Sequence, residues 1–207
     1  MPSVIIVFAK APLPGRVKTR LVPALTPEQA AALHTAFVSD TLENAAACGE
    51  VELHTDVPAD AAWVDCGLPR ALQSAGGLGV RMFHALSCAL GRGCTQAMIV
   101  GSDSPTLPAG HIRFLLESPA DVALGPSEDG GYYAIACRRL SPKMFDGVEW
   151  SGPCALARTV AAAERCGLSV AIGKPWYDVD EPRDLDRLAA EERLPRHTAA
   201  ALERLRT

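Results

Sequence analysis

The chain has 207 residues, 48% of them hydrophobic, and a formal charge of −4. That length suits one domain running over residues 1–207, and the acidic balance argues against a nucleic-acid partner, which needs a basic surface. No uninterrupted apolar run reaches about 18 residues, so no membrane span is expected.

The first apolar run, Val4 to Phe8, begins almost at once, with no basic leader before it. A secretory signal is therefore not expected. Seven cysteines (48, 66, 88, 94, 137, 154 and 166) form no Cys-x-x-Cys pair, which fits reduced thiols in a cytoplasmic protein.

Residues 3–9 form a short run, β-branched from Val4 to Val7, with no helical period, and read as a buried strand. A stretch rich in Pro and Gly follows, from Ala11 to Pro23. Thr26-Pro27-Glu28-Gln29 then opens a helix, with Thr26 as N-cap and Gln29 three residues on. Ala30, Phe37, Val38, Thr41 and Ala45 share one side of it, while Glu28, Gln29, Ser39, Asp40 and Glu43 lie on the other. Strands are expected at 51–55, 97–100, 121–124, 132–137 and 169–172, and helices at 78–90, 154–166, 182–192 and 196–206. Strands alternating with helices imply an α/β fold with a mostly parallel sheet covered on both faces.

Just past the first strand lies Ala9-Lys10-Ala11-Pro12-Leu13-Pro14-Gly15-Arg16-Val17-Lys18-Thr19-Arg20-Leu21. Ligands of open α/β sheets bind beyond the carboxyl ends of strands. Four cations at that place, in an acidic protein, make either a phosphate pocket or a solvated basic loop. Two prolines restrict the loop, and Gly15 allows close approach to a ligand. It is not a Walker loop, since Gly15 and Lys18 are not contiguous. A G-x-G-x-x-G fingerprint is absent as well.

Acidic signals come from three further places. Asp103 ends a buried strand, in Gly101-Ser102-Asp103-Ser104-Pro105, as a turn cap or a metal ligand. Asp178 and Asp180, at i and i+2, point to one face of an extended chain. A divalent cation such as magnesium would relieve their repulsion, whereas Asp180 or Glu181 alone would cap a helix starting at Pro182. Glu128-Asp129-Gly130-Gly131-Tyr132-Tyr133 suits either a ligand pocket or an ordinary turn between strands.

Taken together, these residues resemble a family of small bacterial glycosyltransferases of arsenosugar-biosynthesis type (domain of unknown function 2064), within the nucleotide-diphospho-sugar transferase superfamily. The carriers are Phe8 to Pro12, Gly15 with Lys18 to Leu21, Gly101 to Pro105, Leu124 to Pro126 with Glu128 to Tyr133, and Asp178 to Asp180 with Pro182 and Asp184-Leu185. More distantly the chain is similar to phospholactate and phosphoenolpyruvate guanylyltransferases. The family pattern has Gly-Asp-Leu-Gly before Arg-Met. This chain has Gly76-Gly77-Leu78-Gly79 before Arg81-Met82, so the acidic residue is missing at 77.

The resemblance implies a GT-A-like three-layer fold and a nucleotide held by Ala9, Lys10, Pro12, Gly15, Lys18, Thr19, Arg20, Gln73 and Arg81. It also implies Mg²⁺ or Mn²⁺ at Asp103, Asp178 and Asp180. Lys10, Lys18 and Arg20, with the ion that Asp103 helps to hold, would offset the charge of the leaving nucleotide, and Glu128 or Asp129 would accept a proton. Gly130, Gly131, Tyr132 and Trp150 would line an acceptor pocket. The expected reaction is glycosyl transfer from a nucleoside diphosphate sugar to a small-molecule acceptor. The alternatives are nucleotidyl transfer from a nucleoside triphosphate, with release of pyrophosphate, and a non-catalytic nucleotide-binding module.

Overall fold

The computed structural model describes residues 3–58, 67–150 and 152–205. In chain order the elements are β1 (Ser3–Ala9), α1 (Pro27–Ala46), β2 (Glu50–Thr55), β3 (Arg70–Leu72), α2 (Leu78–Gly91), β4 (Gln96–Gly101), α3 (Ala109–Glu117), β5 (Val122–Pro126), β6 (Tyr132–Cys137), α4 (Ala155–Arg165), β7 (Val170–Ile172), α5 (Pro182–Ala189) and α6 (Arg196–Leu205). Thr19–Leu21 forms a single 3₁₀ turn.

All seven strands join one sheet in the order β3-β2-β1-β4-β6-β5-β7. Strands β3, β2, β1 and β4 pair in parallel. β6 runs antiparallel to both β4 and β5, and β5 pairs in parallel with β7. Among the described residues β6 is thus the one reversed strand. The mostly parallel α/β fold expected from the alternation of elements is the fold observed.

Alternation along β1 builds the two layers that flank the sheet. Ile5, Val7 and Ala9 pack with Val38, Leu42 and Ala45 of α1 and with Ile112 and Leu115 of α3. Val4 and Ile6 face Met82, Ala85, Leu86 and Ala89 of α2 on the opposite side. Side chains two apart share a face of a strand, so one short run serves both cores. Ile5 and Ile6 are fully buried, each contributing about 1.5–3 kcal/mol by leaving water. A third cluster, Leu21, Leu33, Phe37, Tyr177, Val179 and Leu188, fastens the loop after β1 and the segment before α5 to α1.

Helix α1 begins as its sequence signals. Thr26 accepts from the Gln29 amide, and the Gln29 side chain accepts from the Thr26 amide. One expectation for this helix is corrected. Asp40, placed on the solvent side by the pattern, is buried beneath α6, where it accepts from the amides of His197 (3.0 Å) and Thr198 (2.7 Å) and from Thr198 Oγ1 (2.6 Å). It caps α6 from another helix.

The helix expected over 182–192 stops at Ala189, where the Ala190 amide turns back onto the carbonyls of Asp186 and Arg187. Cys48, Cys88, Cys94, Cys137, Cys154 and Cys166 are free thiols, while Cys66 and the last residue of the helix expected to reach 206 lie outside the described residues. Among the described residues, no helix is long and apolar enough to cross a membrane.

Candidate functional site

Because β1, β2, β3 and β4 are parallel, their carboxyl ends open on one edge of the sheet, where the basic loop and Asp103 both emerge. The segment 176–180 is laced to that edge by main-chain bonds. The Val179 amide donates to the Asp103 carbonyl (2.8 Å), and the Glu128 amide donates to the Trp176 carbonyl (3.0 Å). Val179 is fully buried in the α1 cluster. Its extended neighbours Asp178 and Asp180 therefore turn the other way, into a cavity of about 260 Å³ that Asp103 and Asp129 also line. The structure brings the three distant acidic segments together. Sequence separation is no obstacle, since each segment is a strand end or is bonded to one.

Helix capping does not consume Asp180. The Asp184 carboxylate reaches back to accept from the amides of Asp180 (3.0 Å) and Glu181 (2.7 Å). Asp180 thereby keeps its own carboxylate for the cleft.

Lys18 is where the structure departs most from the sequence reading. Its side chain is 3% exposed and points toward Asp103 and Asp180. The ammonium donates to Asp103 Oδ1, to Asp180 Oδ1 (3.0 Å) and to the Val179 carbonyl (2.8 Å), and sits 5.5 Å from the Phe37 ring centre. An ammonium has three protons, and all three are used. Burial alone would pull its pKa down, but the paired charges of Asp103 and Asp180 outweigh that and hold it above the ordinary lysine value.

The other cations of the loop behave differently. Lys10, Arg16 and Arg20 are exposed and make no ion pair among the described residues. Lys10 lies close enough to Asp103 to help hold its carboxyl low, after burial, which opposes this, and Lys18, which dominates the lowering. Arg20 opens on a second cavity, of about 440 Å³, that also touches Asp129, Asp178 and Asp180. The loop is held in place by His34 Nε2 at 3.0 Å from the Lys10 carbonyl and by the Ala11 amide donating to Asp56 (2.7 Å). Of the remaining loop residues, Ala9 is buried, Pro12 is half-buried, and Gly15 (φ +75°) and Thr19 are exposed.

Asp178 is the unusual acid. Burial pushes its carboxyl up to about 7, and the nearby Asp103, Asp129 and Asp180 charges add to this, while a hydrogen bond from Ser104 Oγ opposes it. Hard carboxylate oxygens lining one cavity are the donors that magnesium or manganese takes, although those of Asp103, Asp178 and Asp180 do not all lie within 4.8 Å of one another. Asp103 and Asp180 face Lys18 through Oδ1 and Asp178 meets Ser104 through Oδ1, so each keeps its Oδ2 without a hydrogen-bond donor among the described residues.

Among the described residues the one trio of ligand atoms lying within 4.8 Å of one another is elsewhere, at Asp40, Glu43 and His197. There the Asp40 oxygens are taken by the α6 amides, and Glu43 pairs with Arg196 and His197. In this arrangement Asp40 serves as the cap of α6. Asp40→Ala should cost about 1–2 kcal/mol in urea unfolding, through the lost cap and the stranded Thr198 hydroxyl. Added Mg²⁺ or Mn²⁺ should not change that loss; a metal-dependent loss would make it an ion site after all.

Asp129 and Glu128 separate clearly. Glu128 is held in a two-armed pair by Arg187 (2.6 and 3.0 Å), which stacks on Tyr177 at 3.7 Å. The Arg187 hydrogen bond lowers the Glu128 pKa and makes it a poor base. Asp129 is oriented through one oxygen only, by Ser127 Oγ (2.5 Å) and the Gly131 amide (2.9 Å), and it borders both cavities. Gly130 makes this turn possible. Its φ is +90°, and a Cβ there would stand 2.0 Å from the Pro153 carbonyl oxygen.

Tyr132 and Trp150 meet edge to face at 6.2 Å and wall the smaller cavity, together with Gly131. Gln73 and Arg81 bind each other (2.7 Å) beside the ends of β2 and β3, where Gln73 also donates to the His54 carbonyl. They border neither of these cavities.

The family model described as "Uncharacterized protein conserved in bacteria (DUF2064)" matches residues 31–152, more than half of the chain. The chain belongs to this family. It is 31% identical over 176 residues to a 2-phospho-L-lactate guanylyltransferase of Methanocella arvoryzae, covering 83% of this chain and 74% of that protein. A Desulfovibrio desulfuricans G20 protein described as a nucleotide-diphospho-sugar transferase superposes with a TM-score of 0.88 at 33% identity, over 99% of this chain and 95% of its own. A Mycobacterium tuberculosis H37Rv protein solved with manganese shares the fold, at a TM-score of 0.52 and 18% identity over 91% of this chain and 98% of its own.

Residues that sequence reasoning passed over include Ser104 and Ser127, which orient Asp178 and Asp129. Each lies within two positions of a flagged acid, and that adjacency was the available signal. Arg187, 59 residues from Glu128, had none.

Proposed function

We propose that this protein is a divalent-metal-dependent transferase acting on a nucleotide-activated donor, and that the group it transfers is a sugar. The observation that carries the reading is the sharing of one cleft by Arg20, without an ion pair among the described residues, and the carboxylates Asp178 and Asp180, with Lys10 near Asp103. A diphosphate needs cations on both sides. Here one side would be Lys10, Arg16 and Arg20. The other would be a metal on Asp103, Asp178 and Asp180, which when bound supplies charge to the departing nucleotide.

Asp129 is the residue placed to take a proton. An acceptor hydroxyl attacks the anomeric carbon, the bond from that carbon to the diphosphate oxygen breaks, and the hydroxyl proton passes to the free oxygen of Asp129. The nucleoside diphosphate leaves with the bonding electrons. Lys18 holds Asp103 and Asp180 in register throughout.

A second reading is favoured by the guanylyltransferase relative: a phosphorylated acceptor attacks the α-phosphorus of a nucleoside triphosphate and pyrophosphate departs. Incubation with Mg²⁺ and panels of nucleotide sugars and nucleoside triphosphates separates the two. Nucleoside diphosphate release is the expected product, pyrophosphate release would install the second reading, and neither product would remove both. In the same assays Arg20→Gln should weaken nucleotide binding roughly tenfold, about 1.4 kcal/mol, with the melting temperature unchanged.

A further inference from the structure

We infer that the 260 Å³ cavity takes a neutral or amine-bearing small molecule with an apolar face, about the size of a monosaccharide, and turns away phosphate esters and free carboxylates. This deepens the transferase reading and rests on it for the identity of the reaction.

Charge decides the class. Four carboxylates, Asp103, Asp129, Asp178 and Asp180, line the cavity, and no lysine or arginine among the described residues does. Of the two ammonium groups near Asp103, Lys18 has no proton left to offer, and Lys10 is exposed on the loop and does not line the cavity. Arg187 and Arg183 are each paired with a carboxylate and open on the neighbouring cavity, as does Arg20. A divalent ion at these carboxylates would spend its charge on them and on the donor phosphates. An anionic ligand would enter without a counter-charge of its own, whereas hydroxyls and ammonium groups find acceptors in Asp129 and its neighbours.

Shape decides the rest. The cavity lies below the roughly 300–1,000 Å³ of drug-sized sites, too small for a whole nucleotide beside a second group. Its lining also includes Phe8, Met82, Tyr132 and Trp150, apolar surface for C–H groups to pack on. The Trp150 ring is set by the Phe145 edge at 5.7 Å and by Gly79, where a Cβ would fall 2.9 Å from the indole.

Binding to the full chain with Mg²⁺, with and without UDP or GDP, tests this by calorimetry or saturation-transfer NMR. Glucose and glucosamine are compared with glucose 6-phosphate, glucuronate and 2-phospho-L-lactate. The anionic members should bind at least about tenfold more weakly than the neutral and amine members. Trp150→Ala should weaken the neutral members, and Asp129→Asn should narrow the gap between the classes. The inference is overturned if an anionic member binds as tightly as glucose, if no neutral or amine member binds, or if binding ignores Trp150→Ala. A parallel UDP and GDP titration isolates the transferase reading. Without nucleotide binding that reading fails, whichever way the sugar selectivity falls.

Discussion

Asp103→Asn should lower turnover at least about 100-fold, some 2.7 kcal/mol of transition-state stabilisation, while the chain stays folded. The amide keeps the shape and one carbonyl oxygen for Lys18 but loses the charge that a divalent ion requires. The choice of Asn over Ala follows from the buried ammonium. Asp103→Ala would strip Lys18 of its first partner, so lost activity and lost stability would arrive together. With Asn, urea unfolding should change by about 1 kcal/mol or less, and the metal-induced rise in melting temperature should largely vanish. Near-parental turnover in the Asn variant would remove Asp103 from the metal site.

The difference between those two substitutions shows where the sequence was readable. Long periodic elements and strand ends announce themselves. The β-branched run of β1 and the Thr26–Gln29 capping box formed as their chemistry requires, and the i, i+2 pair at 178 and 180 lines one cavity. β3 was missed because three edge residues, mostly exposed, carry no pattern. α3 was missed because it starts after Pro108 without a side-chain cap and buries only Ile112 and Leu115. The antiparallel turn of β6 is set by the short 127–131 connection, too short for a crossover.

Within the site, proximity of the acids was legible but their partners were not. Whether Glu128 or Asp129 stays free depends on Arg187 arriving from α5. Whether Asp40 faces water depends on α6. Tertiary contacts of that kind leave no local signature.

Lys18→Met should be the most revealing substitution, because Lys18 is held in a conformation that a lysine rarely adopts. Its φ of 47° and ψ of 38° lie in the left-handed region, the one non-glycine case among the described residues. Such a residue costs about 1–2 kcal/mol and persists when its surroundings over-determine it. Three acceptors from two other segments do so here. Methionine keeps the backbone cost and the stem, but it leaves Asp103 and Asp180 facing each other and the Val179 carbonyl unmet. Breaking a buried pair costs about 3–5 kcal/mol. With Asp103 47% and Asp180 42% exposed, water relieves part of this, so the lower end, near 3 kcal/mol, is expected in urea unfolding. Mg²⁺ or Mn²⁺ should recover much of the loss, since an ion can now satisfy both carboxylates without competing with an ammonium. The metal-induced rise in melting temperature should therefore be larger in the variant than in the parent. A lysine that served the nucleotide directly would give the opposite pattern: unchanged stability, an unchanged metal response and weaker nucleotide binding alone.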